Sequence, residues 1–332
     1  MKIIKVIFCI ILIFLNTTNI VFAEDFNAWI ISFKDYALKK GISKETLDKT
    51  MSKVKFLPKV IKYDRYQPEF YEDTNTYISK RSSDVKLKKG IDLFIKNNSL
   101  ILNVESKFNV EKELLLSLMG IETNFGKYLG KMDILSSLAT LSYDKRRSEF
   151  FTNELIIILK LIDSGIVNSD ILYGSWAGAF GNFQFMPSTI NNYALDYNND
   201  DLIDLKSTED SFASAANYIN KLGWKMNGPC FYKIELNNNI PVKYLNTSAK
   251  KIKNKKKFKY FKKYIFNSEN IKIDENLVTG IITPDREIVE NSKLLEPAYL
   301  VFDNYELILK WNRSLRFALA VCTLKDKFKN EL

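Results

Sequence analysis

Histidine is absent from all 332 residues. That excludes a Ser-His-Asp triad, a Cys-His pair and a His-ligated zinc, so carboxylates, lysines or tyrosines must carry any acid–base chemistry. Cysteine is nearly absent as well. Cys9 lies inside an N-terminal apolar run, not at its exit, and so does not resemble a lipid-attachment cysteine; Cys230 and Cys322 lack metal-ligand spacing. The latter two leave open one disulfide or two buried thiols, because a chain of this length builds its core without a staple. Beyond the first residues, no apolar run reaches the roughly 20 residues that a membrane-spanning helix needs.

Lys2 and Lys5, the ten apolar residues Val6 to Leu15, and the small-residue exit Val21-Phe22-Ala23 before Glu24 form a secretory leader over residues 1–23. Ten apolar residues are too few to cross about 30 Å of hydrocarbon, and the reading is an exported, periplasmic protein, soluble or loosely membrane-associated. The chain is basic, with 49 Lys and Arg against 39 Asp and Glu. Nine of these lysines lie between Lys250 and Lys263, interleaved with Phe258, Tyr260, Phe261 and Tyr264. Export argues against a nucleic-acid partner for this run, leaving a solvated face or attraction to an anionic envelope surface.

From Asp25 to about Leu222 the apolar spacing is helical. Phe26, Trp29, Ile30, Phe33 and Ala37 recur at three and four, Ser43 reads as an N-cap, and Gln67 to Phe70 reads as a turn or helix start. After Trp224, short runs at 230–236, 240–245, 271–273, 277–282 and 299–302 are separated by Asn, Pro, Gly and Lys, which predicts a small β-containing insertion. Helical spacing returns from Tyr305 to Cys322. The fold class is therefore mainly α (α+β).

Val110 to Phe125 reads as an amphipathic helix closed by Gly126, with Glu122 in its last turn, three and four residues after Met119 and Leu118. An apolar face and the negative helix end both disfavour a charged carboxylate, so its pKa is expected to rise, as a general acid requires. The stretch GSWAGAFGNFQFMPS from Gly174 places Ser175 and Gln184 among aromatics in a loop whose glycines allow close backbone approach. Asp196, Asn198, Asp200, the Leu202 carbonyl and Asp204 approximate the start of an EF-hand loop, but Asp201 replaces the turn glycine and Ser207 the closing carboxylate.

Together GIETNFGKYLGK from Gly120, LATLSYDKRRSEFF from Leu138, the Gly174 stretch and ANYINKLGW from Ala216 resemble the membrane-bound lytic murein transglycosylases of the B type. YDRYQPEF at Tyr63 and WNRSLRFALAV at Trp311 add support. The resemblance implies a lysozyme-like helical catalytic domain. Leader at 1–23, N-terminal helical region at 24–105, catalytic core at 106–224, β-containing insertion at 225–303 and a C-terminal helix at 304–332 packing on the catalytic unit are the expected parts. Glu122 matches the family's single acid/base, Ser175 the hydroxyl that orients it or a bound sugar, and Gln184 a glycan contact. Arg146, Arg147, Tyr218, Trp311 and Asn312 fall where the family lines its groove, with Phe150, Trp311 and Phe317 standing where the family has tyrosine.

The implied reaction is cleavage of the MurNAc-GlcNAc β-1,4 bond of peptidoglycan strands by the substrate's own muramic C6 hydroxyl, giving 1,6-anhydro ends. No cofactor is required, and structural calcium on the Asp196 loop is the one ion the resemblance suggests. Ordinary glycosidases use two carboxylates. A hydrolytic muramidase with a second functional carboxylate, or a non-catalytic glycan-binding protein, are the alternative readings.

Overall fold

The computed structural model describes residues 25–66, 72–286, 289 and 293–332. The leader and the turn expected at Gln67 to Phe70 lie outside the described residues. Along the chain run helices α1 (25–39), α2 (Lys44–Met51), α3 (Pro58–Arg65), α4 (Thr74–Arg81), α5 (Asp84–Lys96), α6 (Asn98–Phe108) and α7 (Lys112–Thr123). Strand β1 (Met132–Asp133), helices α8 (Ile134–Tyr143) and α9 (Ser148–Asp163), strand β2 (Tyr173–Gly174), and helices α10 (Pro187–Tyr193) and α11 (Thr208–Lys221) follow. Then come β3 (Phe231–Ile234), β4 (Leu245–Asn246), β5 (Lys256–Lys257), α12 (Phe258–Phe261), β6 (Val278–Ile282), β7 (Ala298–Val301), α13 (Asp303–Trp311) and α14 (Leu315–Glu331).

The described chain divides into two units. The first draws on the chain up to Tyr66, on Leu129–Asn192 and on Asn199–Asp204. Here α8 packs on α9, α2 on α9 and α3 on α8. The helical spacing of α1 does bury Phe26, Phe33 and Ala37, and Phe26 meets Phe56 and Tyr143 through tilted and edge-on rings. Ser43 caps α2 by accepting from Thr46 N at 3.1 Å, and a second partner, Asp163, accepts from the Thr46 hydroxyl at 2.6 Å. Strands β1 and β2 pair antiparallel with Met132 opposite Gly174. Gly130 is required beside them, because a β carbon there would come within 2.0 Å of the Gly174 carbonyl oxygen.

The second unit comprises the described residues of Gln67–Tyr128, Tyr193–Asn198 and Leu205–Leu332. Helix α14 packs on α7 and α4, α11 on α6 and α7, and α5 on α7. The sheet has the order β3-β7-β6-β4, with β3/β7 and β7/β6 antiparallel, β4 parallel to β6, and β5 antiparallel to β6. Ile234, Leu236, Phe258, Phe261, Ile281 and Leu300 form its own core. Phe258 and Phe261 of the lysine run are thus core residues, and Tyr260 and Tyr264 pack half-buried against that core. The 271–273 run forms no strand: Ile271 and Ile273 pack against the sheet core while Ile273 N bonds locally to Ile271 O at 3.2 Å.

Three further expectations are corrected or decided. The helix of Glu122 spans Lys112–Thr123 and ends at Asn124 in the left-handed conformation, ahead of Gly126. The C-terminal helix is two helices, because Asn312 is extended and the Ser314 hydroxyl accepts from Phe317 N at 3.2 Å to start α14. Cys230 and Cys322 are joined in a disulfide, with α carbons 6.1 Å apart across 92 residues, tying the entry to β3 onto α14. Buried Arg316 of α14 likewise holds Asp285 at 2.8 Å, and Asp285 accepts from Thr74 N at 3.0 Å at the start of α4.

Candidate active site

Helix α7 is buried over Leu114, Leu115, Leu116, Leu118 and Met119, so its axis is fixed by packing on several sides. Glu122 emerges half-buried in its last turn. What ends the helix is an uncommon run of positive φ at Asn124 (51°), Phe125 (60°) and Gly126 (78°). A phenylalanine in this region costs energy that neighbours must offset. The Phe125 ring lies against two glycines: a β carbon on Gly120 would come within 2.7 Å of it, and one on Gly90 within 2.8 Å. The Thr123 hydroxyl accepts from Gly126 N at 3.0 Å, and Asn124 N bonds Gly120 O at 3.1 Å, closing the turn behind the carboxylate.

Trp311, the last residue of α13, donates its indole N–H to Glu122 Oε1 at 2.9 Å. Its ring is stacked on Tyr218 of α11 (centroids 5.1 Å, interplanar angle 26°), which is stacked in turn on Tyr193 at the end of α10 (4.3 Å, 27°). The Tyr218 hydroxyl donates to Lys310 O at 3.3 Å, and Asn217 donates to Tyr193 O at 2.8 Å. Burial, with Tyr193 adding to it, raises the Tyr218 phenol above its ordinary value, so it stays neutral. Three segments far apart in sequence thus build one aromatic column that ends on the glutamate. Asn312 follows Trp311 directly, its N–H bonded to Ile308 O at 2.9 Å. Phe317 is buried and is not a stacking surface.

The first unit carries the other expected residues. Arg146 and Arg147 both bind the buried Asp64, Arg146 through Nε and through the Asp64 carbonyl, and the Arg147 guanidinium also lies 4.7 Å over the Phe151 ring. Ser175 Oγ accepts from Ala179 N at 2.9 Å and Ala177 N at 3.3 Å, bracing its own loop. Gln184 sits at φ 52° and donates through Nε2 to Gly181 O at 2.9 Å and Leu129 O at 3.2 Å. Its amide oxygen takes no part in those two bonds.

Of the residues singled out in the sequence, Glu122, Tyr218 and Trp311 lie in contact with one another; Tyr193 and Asp64, whose partners are distant in sequence, were not singled out. Trp311 was singled out only as a groove residue. The one available signal for Asp64 was its place in the YDRY stretch.

Other carboxyls that are buried among the described residues are tied into the framework. Glu111 accepts from Trp224 Nε1 and from Asn227 N at 2.8 Å, and Glu113 pairs with Lys112 at 2.6 Å. Glu154 accepts from Ser188 N at 2.8 Å, and Asp210 from Tyr197 N at 2.8 Å. Along the candidate metal loop, Asn199 (φ 61°) and Asp201 (φ 68°) adopt the left-handed turn without glycine, and Asp200 Oδ1 accepts from Leu202 N at 3.0 Å. The Ser207 hydroxyl accepts from Asp210 N at 3.1 Å as the N-cap of α11. Among the described residues, no three His, Cys, Asp or Glu side chains gather as a metal ion requires. The loop of Asp196, Asn198, Asp200, Leu202 and Asp204 is oxygen-rich, and Ser207 stands where an EF-hand loop has its closing carboxylate.

A transglycosylase SLT domain model matches residues 25–326. The chain belongs to that family. This SLT-domain chain is 40% identical over 118 residues to the membrane-bound lytic murein transglycosylase B of Escherichia coli (strain K12), a match covering 35% of this chain and 33% of that protein. Its fold is similar to that of SltB3 from Pseudomonas aeruginosa, solved in complex with NAG-NAM-pentapeptide and with NAG-anhNAM-pentapeptide. Each comparison gives a TM-score of 0.80 at 29% identity over 92% of this chain and 79% of that one.

Proposed function

We propose that this SLT-domain chain is a lytic transglycosylase that cleaves the MurNAc-GlcNAc β-1,4 bond of peptidoglycan with Glu122 as its acid and base. The observation that carries the reading is the setting of Glu122: a half-buried carboxyl at the end of a buried helix, contacted by a neutral donor. Protonated Glu122 gives its proton to the bridging oxygen as the C1–O4 bond breaks. The muramic C6 hydroxyl closes on C1 to form C1–O6, and the Glu122 carboxylate takes the C6 hydroxyl proton. No water is consumed and the glutamate returns to its acid form. Because the nucleophile belongs to the substrate, the ring closure draws on an effective molarity worth up to about 7–11 kcal/mol. The NAG-anhNAM-pentapeptide held by a relative is the kind of product this closure leaves, which supports the reading.

Ser175 and Gln184 serve as glycan contacts, Ser175 through its hydroxyl proton and Gln184 through its amide oxygen. Arg146 and Arg147, set by Asp64, serve as glycan contacts on the first unit, and Tyr218 and Asn312 serve as glycan contacts on the second. Calcium takes no part in the reaction. The leader at residues 1–23 and the Cys230–Cys322 disulfide support export to an oxidising periplasm. Among the described residues no helix is long and apolar enough to cross a membrane. The lysines from Lys250 to Lys263 serve encounter with anionic envelope surfaces.

Glu122→Gln tests the assignment, since the amide keeps shape but can neither give nor take the proton. Release of muropeptides is expected to fall at least roughly 10²–10⁴-fold with the melting temperature retained. Ser175→Ala and Gln184→Ala should cost only about 0.5–1.5 kcal/mol each. Near-wild-type release by Glu122→Gln would overturn the reading.

A further inference from the structure

We infer that Trp311 is a positioning residue that decides which oxygen of Glu122 carries the catalytic proton. The inference rests on the reading of Glu122 as acid and base. An indole N–H can only donate. The oxygen it touches, Oε1 at 2.9 Å, is therefore an acceptor, and because the carbonyl oxygen of a carboxylic acid accepts more strongly than its hydroxyl oxygen, the bond favours the proton on Oε2. When Glu122 is protonated, the hydrogen is on Oε2 and Oε1 is the carbonyl oxygen. Oε2 gives the proton to the bridging oxygen, and Oε2 receives the C6 hydroxyl proton, while Oε1 keeps the same hydrogen bond throughout. A tyrosine hydroxyl at this position rotates and can accept, so it could hold the acid proton away from the substrate; an indole cannot.

The ring is placed to do this. Trp311 closes α13, its plane is set by the stack on Tyr218 and Tyr193, and the Tyr218 hydroxyl bonds the carbonyl of Lys310, the residue before it. Rotating the indole away from Glu122 would break its stack on Tyr218. Because one face of Trp311 is covered by Tyr218, the ring is a brace for the carboxyl more than an open sugar platform. Lys86 of α5, on the Gly120 carbonyl, and Tyr218 of α11, neutral because burial raises its phenol, are titratable groups near this end of α7.

The test compares Trp311→Phe, which keeps a ring without the N–H, with the replacement of Trp311 by β-(3-benzothienyl)alanine, an isostere with sulfur for N–H. A soluble MurNAc-GlcNAc oligosaccharide is the substrate, and melting temperature is followed alongside kinetics. Since hydrogen bonds to charged groups are worth more than neutral ones, kcat is expected to fall roughly 10- to 100-fold in both variants with KM changed less than about threefold. The alkaline limb of the kcat profile should move up by about one pH unit, because the lost donor favoured the carboxylate. If Trp311→Phe fails to fold, the isostere alone decides. A raised KM with kcat and the limb unchanged, or wild-type kinetics in the isostere, would overturn the inference while leaving the role of Glu122 intact. An active Glu122→Gln enzyme would instead remove the reading on which it stands.

Discussion

The ammonium of Lys86 donates to the carbonyl oxygen of Gly120 at 2.6 Å, placing a cation on the last turns of the helix that carries Glu122. A cation at a helix C-terminus is favourable, but burial opposes the charge, and Arg81 and Lys89 add to that. Burial and these neighbours lower the Lys86 pKa to about 8 from 10.5.

The sign of the consequence follows from proton counting. Between about 8 and 10.5 the unfolded chain holds a proton on Lys86 that the folded chain has released. This group therefore makes stability rise with pH across that window and contributes no slope below it. Urea midpoints of wild type and Lys86→Met, followed from neutral to alkaline pH, should converge or cross in favour of wild type as pH rises through the window. A pH-independent difference between the two proteins would contradict the assignment.

The helical frame was legible because burial follows spacing, as at Phe26, Phe33 and Ala37, where three- and four-residue steps fall on one face. Glu122 was legible because its motif is local. The end of its helix was not, since nothing nearby requires Asn124 and Phe125 to turn left-handed. That turn depends on the Phe125 ring finding Gly90 on another helix, a contact set by the tertiary fold. The Trp311 bond to Glu122 spans 189 residues and the Arg147 bond to Asp64 spans 83, distances at which periodicity carries no information. Phe258 and Phe261 look like parts of a basic aromatic patch in sequence, yet the sheet takes both into its core.

Calcium affinity should be weak. Asp196, Asn198, Asp200 and Asp204 supply oxygens, but Ser207 caps α11 where a closing carboxylate would be needed. A calorimetric titration is expected to give a Kd no tighter than about 10⁻⁴ M, with turnover unchanged in chelator. Sub-micromolar binding would show that the loop closes in a way its capping bonds oppose.

The lysine run should act at a distance from the chemistry. Lys255 pairs with Glu306 and Lys262 with Glu275, whereas Lys250, Lys251, Lys253, Lys259 and Lys263 are exposed. Replacing these five by Gln is expected to weaken association with anionic vesicles at low salt and to matter little near 1 M salt, where the Debye length falls to about 3 Å. Saturated turnover of a short soluble glycan should be unchanged. A large, salt-independent fall in that turnover would place the run in the catalytic machinery.

The mass of the glycan ends released from purified sacculi separates intramolecular closure from hydrolysis. Attack by the muramic C6 hydroxyl leaves 1,6-anhydro ends one water lighter than hydrolysed ends, and digestion in ¹⁸O-labelled water leaves them unlabelled. Anhydro, unlabelled ends are expected from the wild-type enzyme and neither product above background from Glu122→Gln. Reducing ends carrying ¹⁸O as the main product would contradict it and make the protein a hydrolase.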